Sequence, residues 1–291
     1  MTPLEQYPEL AKKIGIKSLY FKREDLHKYL SHKGRSLPVM IDHYIKKGST
    51  KFAISSSGNA AIASALYINE INSKLKEKIS LNIFIGQNIS KTKENMLKEL
   101  EMASDGMVKV LPKERPLFAL NQAIDEGYTS LRQSTDDIAL LGYYDLAEEL
   151  TSDKNIKAIF VGTSSGTTAQ GLLQYFKQKN INIQVHCVQT SSCHPISDQF
   201  ENYDGPDEKS IADAIVAKTT ERQDTLVKML NDSGGYCWTV NNTDIRTAMK
   251  LSKDLAIDIS PNSALSVAGL MQAVYRDWDL EGDVVCLITG Q

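Results

Sequence analysis

The sequence is poor in the features that mark several classes of protein. It has four cysteines in 291 residues, and no two of them have the CxxC spacing of metal or redox sites. We therefore expect a reduced, cytoplasmic protein with mostly buried thiols and no metal site. No apolar run approaches the length that crosses a membrane, and the N-terminus lacks the basic start and apolar stretch of a signal peptide. We predict neither a membrane span nor a signal peptide.

A surplus of positive charge is also missing. The chain has 33 Lys and Arg against 36 Asp and Glu, a formal net charge of −3. Because nucleic-acid binding needs a basic footprint, this balance argues against a nucleic-acid partner. Hydrophobic residues make up 42% and charged residues 24% of the chain, as in ordinary globular proteins. The length can bury a large core in one big domain or two modest ones.

Short β-branched runs alternate along the chain with longer helical patterns. Several runs are apolar on both faces, which is typical of buried parallel strands. The alternation predicts an α/β fold of two lobes, each a mainly parallel sheet with helices on both faces. We place residues 36–135 in a smaller lobe and residues 1–35 with 136–291 in a larger one. The predicted strands are residues 19–22, 51–55, 79–85, 107–111, 128–132, 156–161, 183–189 and 284–289. The predicted helices are residues 37–47, 59–72, 91–103, 116–126, 140–150, 168–179, 221–231, 242–256 and 264–278.

Lys33 lies in a short polar segment between the strand predicted at 19–22 and the helix predicted from residue 37. Most lysines are simply exposed to solvent. A lysine anchored by regular structure on both sides can instead present its amine to an aldehyde and form a Schiff base. Lys33 is therefore a candidate for covalent chemistry.

Residues 55–61 directly follow a predicted strand and open a predicted helix. A single Ser or Asn there would be explained by helix capping, but the segment carries several short polar side chains and a glycine, which exceeds what a cap needs. The N–H groups at the start of such a helix suit a carboxylate. The candidate ligand-binding residues here are Ser56, Ser57, Gly58, Asn59 and Ala60.

Residues 162–168 also lie between a predicted strand and a predicted helix. No lysine of the P-loop type follows them, since Gln170 and Gly171 come instead, and a strict GxGxxG is absent. A flexible connection would rarely need seven small residues in a row, whereas a phosphate dianion needs many converging N–H and hydroxyl donors. The candidate phosphate-binding residues are Gly162, Thr163, Ser164, Ser165, Gly166 and Thr167.

Thr289 ends an apolar strand predicted at residues 284–289, and its hydroxyl could face a cofactor ring, although such a position could also be a frayed terminus. A lysine, a Gly-Asn turn and a phosphate-sized turn, in this order, are what a pyridoxal 5′-phosphate (PLP) site requires. The sequence therefore predicts PLP as the cofactor.

Together these segments resemble the fold-type-II PLP enzymes, the tryptophan synthase β superfamily. Residues 31–35 are similar to the family's lysine motif, residues 56–61 to its SSGN loop and residues 162–167 to its phosphate cup. In the second half, residues 188–189, 210–215, 257–270 and 287–290 most resemble the threonine synthase and threonine dehydratase branch. Residues 22–26 and 33–37 also resemble D-cysteine desulfhydrase and ACC deaminase.

The resemblance implies elimination or replacement on a small amino acid, by a PLP-dependent lyase that forms a homodimer. Lys33 would be the Schiff-base lysine and the general base. Asn59 would bind the ring O3′, and Thr289 would meet the pyridine nitrogen. The residues that would hold the substrate carboxylate are Ser56, Ser57, Gly58 and Ala60. The alternatives are an enzyme like D-cysteine desulfhydrase or ACC deaminase, and a non-catalytic binding protein of the same fold. A nucleotide- or phosphate-binding protein without PLP would not need Lys33 and Asn59.

The sequence departs from the family pattern at several positions. Gly34 replaces an Asp that takes no part in the chemistry, so we expect altered packing there. Ser164 and Ser165 replace a glycine and predict a narrower cup. Ala139 stands where threonine synthases carry an arginine for the substrate phosphate, which counts against a true threonine synthase. The chain also ends just past Thr289, without the family's usual tail.

Overall fold

The computed structural model describes residues 1–87, 89–152, 155–205 and 208–290. It divides into two compact units: unit 1 comprises Met1–His27 with Tyr143–Gln291, and unit 2 comprises Lys28–Gly142. Unit 2 thus begins at Lys28 rather than at residue 36 and ends at Gly142 rather than at residue 135. As a consequence Lys33 belongs to unit 2, because the helix that begins at Lys33 is part of the core of that unit.

Strands and α-helices alternate along most of the described chain, as the sequence predicts. In chain order, the elements are β1 (Leu4–Gln6), α1 (Pro8–Ile14), β2 (Leu19–Arg23), α2 (Lys33–Lys46), β3 (Lys51–Ser55), α3 (Asn59–Asn72), β4 (Ser80–Ile85), α4 (Lys91–Met102), β5 (Val108–Pro112), α5 (Pro116–Asp125), β6 (Thr129–Ser130), α6 (Ile138–Leu141), α7 (Tyr144–Thr151), β7 (Ile156–Gly162), α8 (Thr167–Gln178), β8 (Gln184–Thr190), α9 (Gln223–Asp232), β9 (Tyr236–Val240), α10 (Asn242–Lys253), α11 (Pro261–Tyr275) and β10 (Asp283–Ile288).

Unit 1 is built on a six-stranded sheet in the order β1-β2-β10-β7-β8-β9. Only β1 runs antiparallel to its neighbour among these described strands. Side chains of β7 alternate between the two faces: Ala158 and Phe160 pack with helices α1, α10 and α11, and Ile159 and Val161 pack with α7, α8 and α9. Helices therefore cover both faces of the sheet, as predicted.

Unit 2 has a smaller sheet in the order β5-β4-β3-β6, and its described strands are all parallel. Phe52 and Ile54 of β3 pack into a core with helices α2, α3 and α4, whereas Ala53 faces the opposite way and packs against α5. This confirms the predicted α/β class, with parallel strands buried on both faces.

Two predicted helices differ from the structure. The helix predicted from residue 37 begins at Lys33, which places Pro38 inside the helix rather than near its start. Proline has no N–H to bond the carbonyl of Gly34 four residues back, so α2 lacks one hydrogen bond near its start. The helix predicted at 140–150 is divided into α6 and α7 near Gly142. A Cβ atom on Gly142 would lie 2.3 Å from Ser36 Cα, so the chain turns there against the backbone of α2.

All four cysteines are free and buried, as predicted. Burial raises the pKa of the Cys237 and Cys286 thiols, so neither is suited to act as a nucleophilic thiolate. Within the described ranges, no group of three or more His, Cys, Asp or Glu side chains could hold a metal ion. None of the helices in that part of the chain is long and apolar enough to cross a membrane.

Candidate active site

The turn after β7 begins at Thr163, one residue later than predicted, and leads into α8. Gly166 occupies the N-cap of α8 with a φ of 89°, and no side chain caps the helix there. The first N–H groups of an α-helix have no partners within the helix, and the positive end of the helix dipole favours an anion there. A Cβ atom on Gly166 would lie 2.5 Å from Leu226 Cδ2, which shows that the turn packs closely on α9.

The chemistry of this turn fits a phosphate dianion. Residues 162–168 contain no carboxylate and no bulky side chain, but they carry hydroxyl groups at five positions and backbone N–H groups beside the positive end of the α8 dipole. Thr163 and Thr167 are buried, and the hydroxyl of Ser165 lies 3.0 Å from that of Thr167. Thr163 donates its N–H to the Val188 carbonyl at 2.8 Å and its hydroxyl to the Val161 carbonyl at 2.9 Å, so donors to a phosphate group must come from the other residues of the turn.

Thr289 follows β10, which pairs with β7 in the sheet of unit 1. Both strands are parallel, so Thr289 and the turn after β7 lie at the carboxyl edge of neighbouring strands, where α/β sheets bind ligands. Thr289 is buried, and the carbonyl of the following Gly290 accepts hydrogen bonds from the hydroxyls of Ser260 at 2.6 Å and Ser263 at 3.0 Å. The start of α11 thus fixes the backbone next to Thr289.

Lys33 is the first residue of α2 and is half-buried. Two contacts within unit 2 hold the first turn of this helix. Gln133 Nε2 donates to the hydroxyl of Ser36, and the glycine at 142 allows the chain to touch the backbone of Arg35 and Ser36. Lys33 therefore projects from a position that its surroundings fix, which is the property required of a lysine that binds a cofactor covalently.

The turn after β3 runs from Ser55 to the start of α3 at Asn59. Gly58 occupies the N-cap of α3 with a φ of −124°, and no side chain caps this helix. The N–H of Gly58 bonds the hydroxyl of Ser56 at 3.3 Å, while Ser57 is exposed. The N-terminal N–H groups of α3, including that of Ala60, are again left for a ligand, which fits a carboxylate.

The structure thus places the predicted site residues at three helix starts and one strand end. In unit 1, residues 162–168 and Thr289 lie at one edge of the sheet. Unit 2 contains Lys33 and residues 56–60. Sequence reasoning missed a residue that supports the turn at residues 162–168, which we call the phosphate turn after the ligand predicted for it. Gln189, fully buried on β8, donates from Nε2 to the carbonyl of Ser164 at 3.2 Å. The Val-Gln pair of β8 was the available signal, because a buried glutamine in an apolar strand must find partners.

Comparison with known proteins shows the family and the fold. The model of the family "Pyridoxal-phosphate dependent enzyme" matches residues 1–290. The chain belongs to this family. Its cofactor is PLP, and its fold is that of the fold-type-II members.

Individual relatives are distant. The chain is 26% identical to the threonine synthase of Methanocaldococcus jannaschii over 317 residues, which covers 99% of this chain and 74% of the relative. Among solved structures, a PLP-dependent aspartate racemase matches with a TM-score of 0.84 and 20% identity, covering 99% of this chain and 89% of that one. A threonine deaminase of Solanum lycopersicum matches with a TM-score of 0.81 and 20% identity, covering 99% and 83%. These structural likenesses show the fold and leave the reaction open.

Proposed function

We propose that this chain catalyses PLP-dependent elimination or replacement on a small amino acid, with dehydration and deamination of serine or threonine as the first candidate reaction. The observation that carries the proposal is Thr289, a neutral hydroxyl at the end of β10, beside the strand that leads into the phosphate turn. A neutral hydroxyl does not stabilise a positive charge on a ring nitrogen as a carboxylate would. This choice suits elimination and replacement better than reactions that need a stronger electron sink.

The proposed roles follow from chemistry and position. When bound, PLP supplies an aldehyde that a lysine amine can join and a ring that takes up electrons released at the substrate Cα. Lys33 would hold the aldehyde and then move the proton at the substrate Cα, as general base. Asn59 would hydrogen-bond the ring hydroxyl. The N–H groups at the start of α3, with Ser56 and Ser57, would orient the substrate carboxylate.

Residues 162–168 would bind the cofactor phosphate through N–H and hydroxyl donors. Because these donors are neutral, the positive end of the α8 dipole would provide the electrostatic attraction at this turn. The phosphate would then anchor the cofactor, and the hydroxyl of Thr289 would face the ring nitrogen.

Threonine synthase activity is the second candidate, since the curated relatives are threonine synthases. Ala139, at the position that the family resemblance assigns to the phosphate-binding arginine, is fully buried in the core of unit 2. A substrate phosphate would find no cationic side chain at this position. We therefore place the dehydratase reaction first.

The test is a screen of amino acids with the PLP-loaded protein, following both the cofactor spectrum and the products. A 2-oxo acid released from serine or threonine supports the first candidate, and phosphate released from O-phosphohomoserine supports the second. Sulfide from cysteine would instead support a desulfhydrase. Bound PLP whose spectrum no amino acid changes would contradict the proposal and favour a non-catalytic binding protein.

Lys33→Ala should lower turnover by about three orders of magnitude or more, because the same amine anchors the cofactor and moves the proton. Lys28→Ala is the matched control: Lys28 lies nearby, is 64% exposed and pairs with Glu70 at 3.4 Å. It should leave turnover nearly unchanged. The homodimer and the cytoplasmic location stay predictions; light scattering of the purified protein checks the first.

A further inference from the structure

The hydroxyl of Ser164 accepts two backbone hydrogen bonds, from the N–H groups of Val216 and Ala217, both at 3.2 Å. A serine hydroxyl has two acceptor lone pairs and one hydrogen to donate. Since both lone pairs are engaged, the hydrogen must point elsewhere. Among the residues that the structure describes, the Ser164 hydroxyl makes only these two hydrogen bonds, so its hydrogen is available to a ligand of the turn.

Val216 and Ala217 belong to the connection between residues 210 and 220, which we call the 210–220 loop and which has no helix or strand. Buried asparagines hold its first half. Asn242 Oδ1 accepts from the N–H of Ile211 at 2.9 Å, and Asn262 Oδ1 accepts from the N–H of Ala214 at 3.0 Å. Neither contact involves the phosphate turn.

The second half of the 210–220 loop is attached to the phosphate turn itself. Besides the two bonds to the Ser164 hydroxyl, the Thr220 hydroxyl donates to the carbonyl of Ser165 at 2.7 Å. The backbone of Ser164 is in turn fixed from the other side by Gln189, whose Oε1 also accepts from the N–H of Ile196 at 2.9 Å. Ser164 is thus a fixed point that a loop contacts on one side and a ligand could contact on the other.

We infer that Ser164 is a positioning residue that couples the cofactor phosphate to the 210–220 loop. Its hydrogen would be donated to the phosphate while its oxygen holds the loop. Hydrogen bonds that share a group in this way strengthen one another. Because coupling between two binding events is reciprocal, the cofactor should order the loop, and the ordered loop should raise cofactor affinity. This inference rests on the proposed placement of the phosphate at residues 162–168.

Limited trypsin digestion of the full-length protein, with and without saturating PLP, measures the coupling. Lys218 is exposed within the second half of the loop, and Lys76 is exposed in unit 2, in the connection after α3. We expect PLP to slow cleavage after Lys218 by about tenfold, a typical coupling factor. Cleavage after Lys76 should be unchanged, and mass spectrometry identifies both sites.

Substitutions at Ser164 separate its role from general destabilisation. Ser164→Ala should remove the protection of Lys218 from trypsin and raise the dissociation constant for PLP by about tenfold. Ser164→Thr keeps the hydroxyl and should restore both. Ser233→Ala is the matched control, because the Ser233 hydroxyl donates to the carbonyl of Leu230 at the far end of α9; it should change neither quantity.

Equal protection of Lys218 in wild type and Ser164→Ala would overturn the inference, as would a Ser164→Thr variant that behaves like Ser164→Ala. Even if the alanine variant fails to fold, PLP that binds the wild type without protecting Lys218 would overturn it. A wild type that binds no PLP would contradict the proposed function instead, so the two failures are distinguishable.

Discussion

Gly58 and Gly166 each open a helix at the carboxyl end of a parallel strand, but the fold constrains them differently. Gly166 has a φ of 89°, and an added Cβ would lie 2.5 Å from Leu226 Cδ2. Gly58 has a φ of −124°, and an added Cβ would meet no atom within 4 Å. The backbone and the packing therefore require glycine at 166, whereas at 58 they would accept a side chain.

The fold therefore does not require glycine at position 58, and we propose that the approach of a ligand to this turn favours it. Among the described helices, side chains cap α4 (Ser90), α10 (Asn241) and α11 (Ser260). Helices α3 and α8 are among those without a side-chain cap. Three glycine substitutions test this distinction between fold-required and ligand-related positions, and a pH prediction tests the burial of His186. They follow in order of decreasing expected effect on stability.

Gly142→Ala, at a third glycine, should cause the largest loss of stability. Its Cβ would lie 2.3 Å from Ser36 Cα and 2.5 Å from the carbonyl oxygen of Arg35, so backbone must move. We expect a loss of about 3 kcal/mol in the free energy of unfolding, measured by denaturant titration, and lower turnover because the start of α2 shifts. Gly86→Ala, whose Cβ would be 3.9 Å from Pro116, is the control; an equal loss there would contradict the account.

Gly166→Ala should cost about 2–3 kcal/mol, since it combines a left-handed backbone position with a contact to a leucine side chain that can partly move. Saturating PLP should then raise the stability of the variant less than that of the wild type, because the phosphate turn is displaced. Thermal unfolding with and without PLP measures both effects. An unchanged stability would show that the turn does not need the left-handed conformation.

Acid pH should lower the free energy of unfolding through a buried histidine of unit 1. His186 on β8 is fully buried and stacks on Phe160, and burial lowers its pKa to about 3 from 6.5. Between these values the unfolded chain binds a proton that the folded chain does not, so stability is complete above about pH 6.5 and falls as the pH decreases. The loss is about 2 kcal/mol between pH 6.5 and 5.

Replacing His186 with Asn isolates this contribution. The variant will be less stable at neutral pH, but its stability should fall less steeply between pH 6.5 and 5 than that of the wild type. Equal pH dependence of stability in the two proteins would mean that His186 takes up a proton as readily in the folded protein as in the unfolded chain.

Gly58→Ala should have the smallest effect on stability, below about 1 kcal/mol, because alanine is only a weaker N-cap than glycine and its Cβ enters open space. The same change should raise KM for the amino-acid substrate by about tenfold if the N–H groups of α3 bind its carboxylate. A variant with unchanged KM would show that no ligand approaches this turn.

The sequence predicted most of the regular structure, because parallel strands buried on both faces and amphipathic helices have strong patterns. β3 and α3 begin and end where predicted. Strands β1 and β9 were missed, as was α1. β1 is three residues long, and β9 follows Gly234 and Gly235, where an added Cβ on Gly235 would lie 2.0 Å from the Val185 carbonyl oxygen. Neither short strands nor close approaches between distant segments leave a periodic signal.

The sequence singled out the small residues that we propose as ligand contacts, but not the residues that support them. Gly142 touches the start of α2, and Gln189 holds the phosphate turn. Both are distant in sequence from the groups they fix, so no local pattern reveals them. The start of α2 was also misplaced, at residue 37 instead of Lys33.

The central claim is that the Lys33 amine holds the cofactor. Reduction of the PLP-loaded protein with borohydride, followed by peptide mass spectrometry, shows which lysine carries the pyridoxyl phosphate group. We expect it on Lys33, with Lys33→Ala losing both the modified peptide and the visible absorption band. Modification of another lysine in the wild type, such as the buried Lys22 that pairs with Glu149 at 2.5 Å, would contradict the account.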